Sequence, residues 1–225
     1  MNKDTVSVVC TSFNRPDLLE TTLRTFHKYN TYPIEDFIVI DDSGEYNCNK
    51  ELEKQYPTIR FQYNPERVGQ IESIDRAYQQ IDSRYVFHLE EDWEFYKGRF
   101  IEDSLTILRK NPTVQQVWIR AEGDTNGHGH YDSIRTGDDG LVDYYIVRKD
   151  HNFKWHGFSF NPGLRRMGDY YQHGPYSSIA KFIPEKPWAA EMRIGEYMKN
   201  RGFVSALIKG DGYVRHIGDG RGIRS

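Results

Sequence analysis

The sequence predicts an α/β protein with a mostly parallel central sheet flanked by helices. Three observations carry this. Short β-branched runs alternate with segments of helical period over the first hundred residues, the mark of βαβ units. Each early strand runs into a polar cluster, and the C-terminal edge of an open α/β sheet is where ligands bind. The 225 residues, 37% of them hydrophobic, suffice for a proper core, whereas no apolar run approaches the roughly 18–20 residues of a membrane helix.

In chain order, Val6–Ser12 is an apolar strand, and Pro16 opens a helix with Leu18, Leu19, Thr22, Leu23 and Phe26 on one face. Residues 37–40, 59–63 and 85–89 supply three more strands. Ile71, Ile74, Tyr78 and Ile81 recur at helical spacing, which places a crossover helix over 69–82. Phe100–Lys110 is a further helix and 114–119 a strand. Residues 121–140, rich in Gly, Asp and His, are too polar for a core and longer than most connections, so they are expected to form a mobile functional loop. Strands over 141–147 and 153–160 follow, then a helix over 188–201 bounded by Pro187 and Gly202. Val204–Ile208 and residues 213–216 read as short closing strands. Neither a repeat nor an interdomain linker interrupts the chain, so residues 1–225 are expected to form one domain.

Charge is nearly balanced, 30 basic residues against 33 acidic ones, which does not suggest a nucleic-acid binder. Its distribution is uneven: residues 1–100 carry 18 acidic and 12 basic side chains, whereas 193–225 carry 7 basic and 3 acidic. An acidic half and a basic tail could meet around a metal and an anion, or could simply be solvated surface. No signal peptide precedes the first strand. Cys10 and Cys48 give neither a disulfide framework nor a zinc spacing, so a soluble protein of the cytoplasm is expected.

The polar clusters are Thr11-Ser12-Phe13-Asn14-Arg15, Asp41-Asp42-Ser43 and Glu90-Glu91-Asp92. Acidic residues after a strand are often turn or cap residues; two such clusters on neighbouring strand ends point to a site. No G-x-G-x-x-G follows the first strand and no P-loop occurs anywhere, so the dinucleotide and P-loop readings lose their main support. Gly69, before the crossover helix, permits close backbone approach, and Arg67 adds charge beside an anion-attracting helix end. Glu191 opens the late helix with Ile194 and Met198 at i+3 and i+7, which sets its carboxylate along the inward face. A first-turn Glu also favours the helix dipole with no further role.

Val-Cys-Thr-Ser-Phe-Asn-Arg-Pro-Asp, Val-Ile-Asp-Asp-Ser and Phe-His-Leu-Glu-Glu-Asp-Trp, in this order, resemble the GT-A fold glycosyltransferases, in particular glycosyltransferase family 2. The resemblance covers the first hundred residues and, more weakly, 185–216. It implies a nucleotide-binding half over 1–100 and an acceptor-binding half over 101–225. On the donor side it implies Thr11 and Arg15 flanking the nucleotide, Asp42 reading the base or ribose with Asp41 beside it, and Arg67 and Gly69 at the nucleotide pocket. Asp92 matches the metal position, with Glu90 and Glu91 standing where Asp is usual. Ala-Glu-Met-Arg-Ile-Gly-Glu-Tyr-Met-Lys-Asn-Arg-Gly-Phe is similar to the family segment that carries the general base, with Glu191 at the base position and Ala190 replacing the preceding Glu. His216 matches a second metal ligand, with Arg215, Arg221 and Arg224 near the diphosphate. Trp155, His156, Asn161, Arg165 and Arg166 fall in a segment that lines the sugar and acceptor side in similar enzymes, although a Trp in a strand serves equally as core.

The resemblance therefore implies sugar transfer, with inversion, from a nucleotide diphosphate sugar to a hydroxyl of a glycan or other acceptor, with Mn²⁺ or Mg²⁺ held by carboxylate and imidazole. Two rivals stand beside it. A nucleotidyltransferase would normally show a Gly-rich loop after the first strand, and residues 11–17 contain no glycine. A silent nucleotide-sugar or glycan binding module would be indifferent to Glu191 beyond affinity.

Overall fold

The computed structural model describes residues 4–125, 127, 129–131, 133–148, 155–181 and 188–220. The predicted early strands form: β1 (Val6–Ser12), β2 (Asp36–Asp41), β3 (Arg60–Tyr63) and β4 (Tyr85–Glu90). With β6 (Val114–Trp118), β7 (Arg135–Thr136), β8 (Asp143–Ile146), β9 (Gly163–Arg166) and β10 (Val204–Ile208) they make a nine-stranded sheet in the order β3-β2-β1-β4-β9-β6-β10-β8-β7. β1 runs parallel to β2 and β4, β2 to β3, and β10 to β6; β9 and β8 run against their neighbours. A separate two-stranded ribbon pairs β5 (Trp93–Phe95) with β11 (Val214–His216).

Period-two alternation along β1 explains the layers. Val6, Val8 and Cys10 face one core with α1 (Pro16–Tyr29) and α4 (Phe100–Lys110), through Leu23, Phe26 and Leu105 among others. Val9 faces the opposite core with α3 (Gln70–Tyr78) and α7 (Trp188–Lys199), through Ile74, Ile194 and Met198. Both faces of β1 are buried, as its unbroken apolar run requires. Among the described residues no helix is long and apolar enough to cross a membrane.

Three expectations change. The strand expected over 153–160 does not form in its described part, where Trp155 makes only an isolated bridge and Gly157 turns the backbone to φ +89°. The strand filling the place between β4 and β6 is β9 instead. Gly163 opens it because a Cβ there would come within 2.5 Å of the Val117 carbonyl oxygen. Second, β11 does not close the main sheet but pairs with β5, a strand too short to show a period in the sequence. Third, the polar stretch 121–140 contains β7, which pairs with β8. The short helices α2 (Lys50–Gln55), α5 (Met167–His173) and α6 (Tyr176–Ile179) were not expected, being too brief for a helical period to register.

Asp75 holds α6 in place. Its carboxylate, 2% exposed, accepts from the Tyr170 hydroxyl at 2.9 Å and from the backbone N–H groups of Tyr176 and Ser177 at 2.9 and 2.8 Å. Losing a buried acceptor strands three donors at once. Asp75→Ala is expected to lower unfolding stability by about 3 kcal/mol, read from urea denaturation. A loss within about 0.5 kcal/mol, the range of an inconsequential surface substitution, would show that α6 is held by its apolar contacts instead.

Candidate active site

Parallel pairing sets the ends of β1, β2 and β4 level: Ser12 lies opposite Asp41, and Thr11 lies between Ile40 and Glu90. The three polar clusters therefore meet at one edge. What each acid does there differs sharply.

Asp41 is consumed by the two adjoining loops. It accepts from the N–H groups of Asn14 and Ser43, both at 3.0 Å, from the Asn49 amide at 3.3 Å and from the Ser43 hydroxyl. Burial would raise its carboxyl, but the Ser43 and Asn14 donors prevail and hold it below the usual value. Asp42 is likewise engaged, by the Asn64 amide at 2.8 Å and by the N–H groups of Val68 and Gly69 at 2.9 and 2.7 Å. At 6% exposure, it fixes the loop before α3. Gly69, at φ +96°, adopts the left-handed backbone that this approach requires. Arg67, carried on the same loop, lies over the Phe13 ring at 4.9 Å.

Glu91 and Asp92 part company although adjacent. Glu91 points inward, where its Oε1 accepts from Arg15 Nε at 2.7 Å and from Phe13 N at 3.1 Å. Burial pushes this carboxyl up to about 7 in spite of Arg15. Its position is that of an anchor beneath Arg15. Asp92 reaches both Arg15 and His216. Its Oδ2 lies 3.0 Å from Arg15 Nη2 and 3.4 Å from His216 Nε2. Burial would raise Asp92, but the hydrogen bond from His216 and the charge of Arg15 outweigh it and hold the carboxyl low. The same bond raises His216, whose Nδ1 lies 2.9 Å from Asp219.

His216 reaches Asp92 because β11 pairs with β5 in the register His216↔Trp93. The turn that follows is also fitted to the carboxylate: a Cβ on Gly218 would come within 2.4 Å of Asp92 Oδ2. A hard carboxylate oxygen and an imidazole nitrogen aimed at one point suit Mn²⁺. Among the described residues no group of three or more His, Cys, Asp and Glu gathers to hold an ion. Further ligands would therefore come from phosphate or water, the usual arrangement for Mg²⁺ with nucleotides.

Glu90 closes β4 with its oxygens bonded by the Gln70 amide at 2.8 Å and Trp93 Nε1 at 3.3 Å. Burial raises it, and the negative charges of Asp92 and Glu191 raise it further. Glu191 comes from the start of α7. Glu191 Oε1 accepts from Phe160 N at 2.6 Å and Ser159 Oγ at 3.1 Å; burial lifts its carboxyl above the usual value against the pull of those two donors.

The expected acceptor side is only partly there. Asn161 is half-buried beside this turn, its N–H donating to Ser159 Oγ at 3.2 Å. Trp155 is core, packed with Trp118 at 5.1 Å between ring centroids. Arg165 is 3% exposed, bonded to Tyr78 and the Ser159 carbonyl, so it offers no surface to a sugar. Arg166 caps carbonyls of Leu108, Asn111 and Val114. Arg215 pairs with Glu94; Arg221 and Arg224 lie outside the described residues. A residue the sequence did not single out is Arg120, buried at the end of β6, stacked on Trp93 at 5.0 Å and paired with Asp124 at 2.7 Å. A charged residue directly after an apolar strand was the available signal.

A twisted, mostly parallel sheet with carboxylates converging at the C-terminal edge of its strands is the GT-A frame, and the solved structures that match it are glycosyltransferases. The chain belongs to glycosyl transferase family 2, whose model matches residues 7–170. Among solved structures it is similar to Staphylococcus aureus TarS residues 1–349, with a TM-score of 0.64, 12% identity and 93% of this chain covered against 59% of that one. It is also similar to GalNAc-T7 with UDP, GalNAc and Mn²⁺ (0.63, 14%, 96% against 44%). A third is the mannosyltransferase PcManGT of Pyrobaculum calidifontis in complex with GDP-Man and Mn²⁺ (0.60, 14%, 92% against 56%). The chain thus spans roughly half the length of these proteins. No curated protein sequence matches it.

If Asp42 anchors the Arg67–Gly69 loop, Asp42→Ala should speed hydrogen exchange at the Val68 and Gly69 amides by about ten- to a hundredfold, the equivalent of one hydrogen bond to a charged group. Unchanged exchange at both amides would return Asp42 to the role of a ligand contact.

Proposed function

We propose that this chain transfers a sugar from a nucleotide diphosphate sugar to an acceptor hydroxyl, with inversion at the anomeric carbon. The observation that carries the reading is the Asp92–His216 pair at the sheet edge, together with a second carboxylate, Glu191, held by Ser159 and Phe160. Family membership and the UDP, GDP-Man and Mn²⁺ of the similar structures support the donor class.

In this reading Glu191 takes the proton of the acceptor hydroxyl as that oxygen bonds to the anomeric carbon. The bond from that carbon to the diphosphate oxygen breaks, and its electron pair leaves with the nucleoside diphosphate. One displacement inverts the centre. A raised carboxyl pKa suits a general base, bringing its proton affinity nearer working pH. Arg15, fixed from below by Glu91, supplies positive charge beside Asp92. Asp92 and His216 would hold Mn²⁺ or Mg²⁺, which neutralises charge on a departing diphosphate when bound. The acceptor is a hydroxyl of a glycan or glycoconjugate. Free thiols at Cys10 and Cys48 suit a reducing compartment such as the cytoplasm.

Two outcomes test the assignment. Asp92→Ala should abolish the Mn²⁺-dependent part of UDP or GDP binding in a thermal-shift titration; metal-dependent binding that survives would remove Asp92 from the site. Glu191→Gln keeps the side chain's shape, so UDP or GDP release from a nucleotide sugar should fall by about a hundred to ten-thousandfold with nucleotide affinity and Tm nearly unchanged. Wild-type turnover in that variant would leave Glu191 a helix-end residue only.

A further inference from the structure

The segment before Asn161 is buried yet belongs to no strand, so its backbone groups need partners from elsewhere. Those of Ser159 find them in a side chain. Gln116 Oε1 accepts from Ser159 N at 3.1 Å, and Gln116 Nε2 donates to Ser159 O at 2.8 Å. One amide thus does what a neighbouring strand would do. Arg165 donates to the same carbonyl, and its guanidinium lies over the rings of Phe158 and Phe160 at 5.1 and 5.4 Å. Gln116 and Arg165 are direct cross-strand partners of β6 and β9, and both are buried, Gln116 completely.

What this clamp holds is the pair of donors on Glu191. Ser159 Oγ and Phe160 N both donate to Oε1. Two donors on one oxygen fix the carboxylate's rotation and leave Oε2 as the atom that can take a proton. Glu191 comes from α7 and Ser159 from the far end of a different connection, and no other described hydrogen bond fixes the carboxylate. We propose that Gln116, Ser159 and Arg165 are positioning residues for Glu191, with Ser159 the direct contact and the Gln116–Arg165 pair the rigid mount behind it. The proposal rests on the reading of Glu191 as general base for its catalytic meaning, but the mount itself is testable apart from turnover.

The physical consequence is readable on Glu191. Both donors favour the ionised carboxylate, and removing one shifts the balance towards the protonated acid. The test is a ¹³C NMR titration of glutamate side-chain carboxyls in the full chain, with the Glu191 resonance assigned by its disappearance in Glu191→Gln. Ser159→Ala should raise the titration midpoint of Glu191 by about one pH unit, the equivalent of one charge-assisted hydrogen bond. Ser159→Thr, which keeps the hydroxyl, should leave it near the wild-type value. Gln116→Met, similar in size but unable to bond Ser159, should raise it as well; should that variant fail to fold, the two Ser159 variants decide. A midpoint unmoved in Ser159→Ala, or moved equally in Ser159→Thr, overturns the proposal. Failure of the functional reading looks different: Glu191→Gln would turn over normally while the Ser159→Ala shift persisted.

Discussion

Burying a carboxylate without compensation is expensive, and this fold crowds Asp41, Asp42, Glu90, Glu91 and Asp92 onto one sheet edge. Much of the surrounding structure is the compensation. Asp41 and Asp42 collect backbone N–H groups from the loops after β1 and β2 and from the turn into α3, so the acids dictate loop conformations that the loops' own sequences could not hold. Arg15 offsets part of the cost for Glu91, whose carboxyl burial still raises to about 7. Glu90 is bonded by an amide and an indole donor, and burial and the neighbouring negative charges drive its carboxyl up. The division is between Asp41 and Asp42, held largely by backbone N–H groups of the loops, and Glu90 and Asp92, held by side chains.

That division was not visible in the sequence. The strands β1, β2 and β4 were, because each is buried on both faces and reads as an apolar run, and their polar C-terminal ends marked the edge. Asp41 beside Asp42, and Glu91 beside Asp92, are however indistinguishable in sequence, and only the partners that the fold brings to each decide what it holds. Arg165 shows a related effect. Its charge suggested a ligand, whereas a buried cross-strand position with aromatic faces on one side and carbonyls on the other makes it a clamp. The segment around Phe158 and Phe160 alternates like a strand, yet Gly157 and the Gln116 amide give its backbone a different solution.

Glu191 illustrates the opposite case. Helical spacing sets it along the inward face, and its carboxylate accepts from Ser159 and Phe160. What the spacing could not reveal is the turn at Ser159 and Phe160, because those contacts come from a connection whose shape depends on β6 and β9. Helix α7 carries the carboxylate; the sheet determines which way it points.

The pairing of β5 with β11 has a consequence for how the molecule comes into being. Asp92 and His216 stand on strands separated by more than half of the chain, so closing the ribbon costs loop entropy that local contacts cannot offset early. During synthesis the sheet edge and its anchored loops can settle as their residues emerge, while the carboxylate–imidazole pair has to wait for nearly the last strand. The contact between this carboxylate and this imidazole is therefore among the last that the folding chain can make.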